Sequence, residues 1–86
     1  MNIYPTPKFL RHLKQKVKKK PSLESTIKTK LSLLLEYPKH PSLRHHKLKG
    51  KRIGQYSISI EKDLRITFLK QKNNYILTDL ITHDQY

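Results

Sequence analysis

The sequence predicts an α+β domain in which two helices cover one face of an antiparallel sheet, and three observations carry that expectation. Apolar residues recur every three to four positions between Phe9 and Leu35. From Tyr56 onward they alternate with polar residues, and the polar stretches between the alternating runs are short. Two amphipathic helices each carry a stripe that needs covering, and a three-stranded meander has one face with the same need, so packing one on the other satisfies both.

Each element has its own local reason. Ile3 and Tyr4 form a short apolar opening suited to an additional strand. Thr6 offers an N-cap, and Pro7 suits the first helical position because the N–H it lacks would have no partner there. Phe9 or Leu10, Leu13 and Val17 then make one stripe, with Lys8, Arg11, Lys14, Lys16 and the Lys18, Lys19, Lys20 run around it, and Pro21 stops the helix. Ser22 is expected to cap a second helix whose Ile27, Leu31, Leu34 and Leu35 form a stronger stripe; Pro38 ends it by disfavouring the α-region at Tyr37.

Residues 39–51 show neither period and read as a basic, histidine-rich loop, in which His40 and His45 are expected at the surface. Tyr56, Ile58 and Ile60 alternate with Ser57, Ser59 and Glu61; Ile66 and Phe68 alternate with Arg65 and Thr67; residues 75–81 make a third strand. The turns at 61–64 and 71–74 are short enough for a meander. The predicted order is β, α, α, β, β, β in a single domain, 1–86, since a chain this short cannot support two cores. Alternation puts Ser57, Ser59, Arg65 and Thr67 on the face away from the helices, expected to stay open as the floor for a ligand.

Charge narrows the ligand. The first 60 residues hold 15 Lys and Arg against Glu24 and Glu36, a net +13, while the last 26 carry four bases and four acids. That asymmetry points to a polyanion, and nucleic acid is the commonest intracellular one. There is no cysteine, which removes disulfides and thiolate zinc sites and fits a reducing cytoplasm. His40, His45 and His46 lack a further ligand at useful spacing, so no metal is expected. Met1 to Lys8 has no signal-like apolar run and Leu33 to Leu35 is the longest apolar string, so a soluble protein without a membrane span is expected. At 35% hydrophobic residues and a mean hydropathy of −0.76, the chain is poor in core-forming surface, which leaves burial for a partner to supply.

The sharpest local pattern is His46, Leu48 and Gly50, then Gly54 and Tyr56, then Asp63 and Arg65, then Thr82, His83, Asp84 and Tyr86. In order and spacing it resembles the RelE/ParE toxin superfamily of bacterial type II toxin–antitoxin systems, closest to the YafQ and RelE-type mRNA interferases. The likeness runs from YPTPKFLRHLKQ through HKLKGKRIGQYSISIEKDLRITF to ILTDLITHDQY. It implies a RelE-like β-α-α-β-β-β fold, messenger RNA cleavage on the ribosome, no cofactor, and silencing by a cognate acidic antitoxin. His46 matches the histidine of the family's HxLxG motif, Asp63 an acid at the turn between the second and third strands, and His83 the C-terminal histidine. Where the family often has a strand histidine this chain has Ser59, and Tyr86 lies three residues after His83 instead of four.

Metal-free RNA cleavage needs a base for the 2′-OH proton, a cation for the crowded phosphorane and an acid for the leaving 5′-oxygen. The resemblance assigns proton transfer to His83 and His46, phosphate stabilisation to Arg65, an orienting or direct role to Asp63, and stacking or phosphate approach to Tyr86. Arg44, Lys47, Lys49, Lys51 and Arg52 are expected to hold the RNA backbone, with ribosomal RNA and messenger RNA as partners. Two other classes remain open at this point: a ParE-like gyrase inhibitor that uses the basic surface for binding alone, and an RNA-binding module without catalysis.

Overall fold

Thr6 starts the first helix by accepting a hydrogen bond from Phe9 N (3.2 Å) on its Oγ1, while the same hydroxyl donates to Leu77 O (2.8 Å) and so ties the helix to the last strand. The computed structural model describes residues 1–82. Their order is β1 (Asn2–Pro5), α1 (Pro7–Lys19), α2 (Leu23–Glu36), β2 (His46–Lys47), β3 (Tyr56–Glu61), β4 (Leu64–Gln71) and β5 (Asn74–Thr82). Two 3₁₀ turns, Pro41–Leu43 and Gly50–Arg52, punctuate the basic segment.

The strands form one sheet in the order β1-β5-β4-β3-β2. The meander is antiparallel as expected, but β1 pairs in parallel with β5, from Asn2↔Asn74 to Pro5↔Leu77. A parallel neighbour requires a long crossover, and the whole chain from α1 to β4 provides one. β2 is a second difference: two residues of the presumed loop pair with β3, His46↔Ser57 and Lys47↔Tyr56. Two residues are too few to show a period.

Both helices lie on one side. Phe9 from α1 and Leu23, Ile27 and Leu34 from α2 join Ile58, Ile60, Ile66, Phe68, Tyr75, Leu77 and Leu80 in a single core. Phe68 is its aromatic centre, stacked on Tyr56 (5.8 Å between centroids) and met edge-on by Tyr75 (5.3 Å). One helix signal failed: Ser22 makes no cap hydrogen bond from its side chain, because its backbone is already helical at φ −63° and ψ −17°. Tyr37 leaves α2 at φ −136°, as the following proline requires. No helix among the described residues is long and apolar enough to cross a membrane.

Candidate active site

The His46-Leu48-Gly50 spacing is three different structural tasks in five residues. His46 pairs with Ser57 at the sheet edge and is exposed. Leu48 is buried, and its N–H donates to Gln55 O (2.9 Å), which anchors the segment. Gly50 adopts φ +68°, which suits glycine and lets the chain turn back toward β3.

The two adjacent histidines are held in different ways. His46 Nδ1 lies 2.8 Å from Arg44 O; a carbonyl only accepts, so Nδ1 carries the hydrogen of that bond and Nε2 is left outside it. His45 uses the same logic with Pro38 O (2.9 Å), but its ring packs on Phe68 (5.4 Å) and its Nε2 is buried with no hydrogen-bond partner. Burial, against the pull of the Pro38 bond, holds its pKa below the ordinary value, and Lys70, His46 and Lys39 push the same way. His45 is therefore half-buried with its neutral form favoured, rather than fully at the surface as expected. His40 does lie at the surface, where its Nδ1 accepts from Ser42 N (3.1 Å).

Residues paired directly across strands share a face, so His46 stands with Ser57 and Thr67, and the next row of that face holds Ser59 and Arg65, opposite Ile81. At about 3.3 Å per residue, the Arg65 row lies about 7 Å along the strands from the His46 row, and the Asp63 turn lies roughly 13 Å or more away. The sheet thus brings His46 and the half-buried Arg65 to one face. It does not bring Asp63, which is exposed in the β3–β4 turn, within reach of His46. His83 and Tyr86 lie outside the described residues; β5 ends at Thr82, paired with Leu64.

This face is less open than alternation implied. Ser57 and Thr67 are both 0% exposed. Thr67 Oγ1 is 2.7 Å from Thr78 Oγ1, and Thr78 donates to Gln55 Oε1 (2.7 Å). Gln55 adjoins β3 and Thr78 is on β5, so that bond spans the intervening β4 and its one hydroxyl, that of Thr67. Sequence reasoning singled out neither Gln55 nor Thr78, because only strand order makes them neighbours.

Arg44, Lys47, Lys49 and Lys51 are exposed. Arg52 is not: its guanidinium is half-buried, with Nη2 4.0 Å from the buried Asp79 carboxylate. Asp79 also meets His12 Nδ1, Lys8 Nζ (3.4 Å) and its neighbour's Leu80 N–H (2.8 Å). Burial alone would raise its pKa, but the hydrogen bonds from His12 and Leu80, with the charges of His12 and Lys8, hold it below the ordinary value. This cluster clamps α1 and the Gly50–Arg52 turn to β5. His12 and Asp79 gave no sequence signal, being 67 positions apart.

No family model matches the chain, and no curated protein matches its sequence. Solved structures do match. A copper-bound mutant toxin from Helicobacter pylori superposes with a TM-score of 0.84 at 20% identity, over 99% of this chain and 97% of that one. YafQ from Escherichia coli BL21(DE3) gives 0.81 at 17% identity, over 95% and 92%. The YoeB–YefM complex from Staphylococcus aureus gives 0.77 at 19% identity, over 96% and 97%. At such identities the likeness is one of architecture: the chain has the RelE-like α+β fold that the YafQ and YoeB toxins share.

Proposed function

We propose that the chain is the toxin of a type II toxin–antitoxin pair and acts in the cytoplasm as a ribosome-dependent endoribonuclease that cuts messenger RNA and stops translation. The observation that carries this reading is the sheet face on which an exposed His46, oriented by its Nδ1 bond to Arg44 O, stands beside the row of Arg65. In the reaction a base takes the 2′-OH proton, the 2′-oxygen attacks phosphorus, and the P–O5′ bond breaks as an acid protonates the 5′-oxygen. The products are a 2′,3′-cyclic phosphate and a free 5′-OH. His46 and His83 share the two proton transfers, and Arg65 neutralises the phosphorane. Asp63 orients a histidine or takes part directly, and Tyr86 stacks on a base. Arg44, Lys47, Lys49 and Lys51 grip the backbone.

The partner follows from the helix side. A groove of about 480 Å³ beside α1 and α2 is lined by Leu10, Leu13, Val17, Leu31, Ile3 and Leu77 together with Lys14 and the Glu24–Lys28 ion pair (3.4 Å), which leaves Lys14 as its unpaired cation among the described residues. It suits an antitoxin helix with an apolar ridge flanked by acids. The solved YoeB and YafQ complexes, with YefM and DinJ, are consistent with such a partner.

The test compares the wild type with His83→Ala on programmed ribosomes and on free RNA, with fragment ends mapped. Cleavage leaving cyclic phosphate, lowered on the order of 100-fold or more by the substitution, is expected. No cleavage, together with gyrase-dependent DNA damage, overturns the reading in favour of a ParE-like inhibitor. Binding of RNA with neither effect leaves a plain RNA-binding module.

A further inference from the structure

A second cationic site lies at the β2 edge of the sheet. Lys39, Lys47 and Lys70 surround a cleft of about 380 Å³ whose walls are His45, His46 and Tyr56. Its size is within the range of small-ligand clefts. The three lysines come from the loop after α2, from β2 and from β4, so nothing in their sequence positions announces the cluster. Among the described residues none of them has a carboxylate partner; the ion pairs there use Lys8, Lys20, Lys28, Arg52 and His12. Lys70 Nζ instead sits 4.0 Å over the Tyr56 ring. Burial, then the charges of Lys39 and Lys47, lower its pKa, as convergent ammonium groups must. Three like charges around one cleft raise the free energy of the empty protein and give it back to an anion.

We propose that the cleft formed by Lys39, Lys47 and Lys70 beside Tyr56 is a phosphate-binding subsite that holds the backbone of single-stranded RNA apart from the face carrying Arg65. Naming RNA as the bearer of the phosphate rests on the function proposed above; the phosphate chemistry rests on the lysines. His46 borders both the cleft and the polar face. A strand held in the cleft is therefore led over the β2 edge toward Arg65, with a neighbouring phosphate anchored before the reacting one.

The probe is a fluorescein-labelled 12-nucleotide RNA with every 2′-oxygen methylated, which cannot undergo 2′-OH attack, so binding is read without cleavage. Anisotropy titrations across salt compare the wild type, Lys39→Gln/Lys70→Gln, and a charge-matched control, Lys18→Gln/Lys19→Gln. The cleft variant is expected to bind about 10-fold more weakly at low salt and to flatten the log–log salt slope by about 1.4, for two phosphates lost. The control is expected to change affinity about 2-fold. Equal losses in the two variants, or no loss in the first, overturn the proposal. Thermal unfolding separates a folding defect, because relieving repulsion in the cleft leaves the melting temperature unchanged or higher; a lower one also counts against the site. If the wild type cuts no RNA yet the cleft variant still loses binding, the enzymatic reading fails and the subsite stands.

Discussion

The helix-covered face of the sheet carries Ile58, Ile66, Phe68, Leu77 and Leu80, all buried in the one apolar core, whereas the opposite face carries Ser57, Thr67 and Arg65 on the same strands and the exposed His46 on the neighbouring β2. The first face gains from removing apolar area from water, and its buried carboxylate, Asp79, is met by His12 and Lys8 of α1. On the second, hydroxyls and charges must find partners, and Ser57 Oγ is buried without one among the described residues. A surface that stabilises the fold poorly yet fixes polar groups in place is suited to bind and react. The division of labour follows from one two-residue period, which sends neighbours in sequence to opposite fates.

If that division is real, substitutions on the two faces separate stability from activity. Phe68→Ala, at the centre of the covered face, should cost about 3–5 kcal/mol in urea unfolding. A loss below about 1 kcal/mol would mean that the core is not organised around this ring. On the other face, His46→Ala should lower the single-turnover cleavage rate about 100-fold, equivalent to about 2.7 kcal/mol, while shifting stability by no more than about 0.5 kcal/mol. Equal damage to both readouts would erase the distinction.

Asp79 tests the link between the helix layer and β5. Asp79→Asn should destabilise by about 1–3 kcal/mol at pH 7, since it weakens the acceptor for His12 and removes the charge facing Lys8. The sign of its pH dependence is set by its lowered pKa: the unfolded carboxyl, at its ordinary value near 3.8, takes up a proton before the folded one does. Its contribution is present above that value and is lost as pH falls through the folded value. Unfolding curves at pH 7 and pH 3 should therefore show the gap between wild type and Asp79→Asn narrowing in acid.

The smallest effect belongs to His45. Its folded pKa lies below the ordinary 6.5, so the unfolded chain again protonates first. Stability should be full above about pH 6.5 and decline below it until the folded value is reached. The groups facing the ring, Lys70, Lys39 and His46, add to the cost of charging it. His45→Gln should flatten the stability profile between pH 7 and 5; an unchanged slope would assign that dependence elsewhere.

Much of the fold was legible because its signals are local. Thr6 and Pro7 announce a helix start and Pro38 a helix end, while the alternation from Tyr56 marks β3 and the core side of β4. Ser22 misled because a serine before a helix signals a cap only when its own backbone is extended, and a proline-led turn had already made it helical. β2 and the parallel placement of β1 depend on register between distant segments, which no local period encodes. For the candidate site, His46, Leu48 and Gly50 could be read as a unit because they are five residues long. Arg65 could be placed on a face but not given neighbours, and Asp63 could be placed at a turn but not at a distance from His46.

Net charge, the helical stripes, the two-residue alternation and the glycine that turns the chain at position 50 are properties of residues and near neighbours, and the sequence by itself determined them. Tertiary structure decided which charges are spent: Arg52 is drawn toward Asp79, while Lys39, Lys47 and Lys70 converge with no acid beside them among the described residues. It also decided which of two consecutive histidines faces water. Both outcomes depend on through-space distances set by strand order and burial, and electrostatic energy depends on those distances and on the local dielectric rather than on separation along the chain.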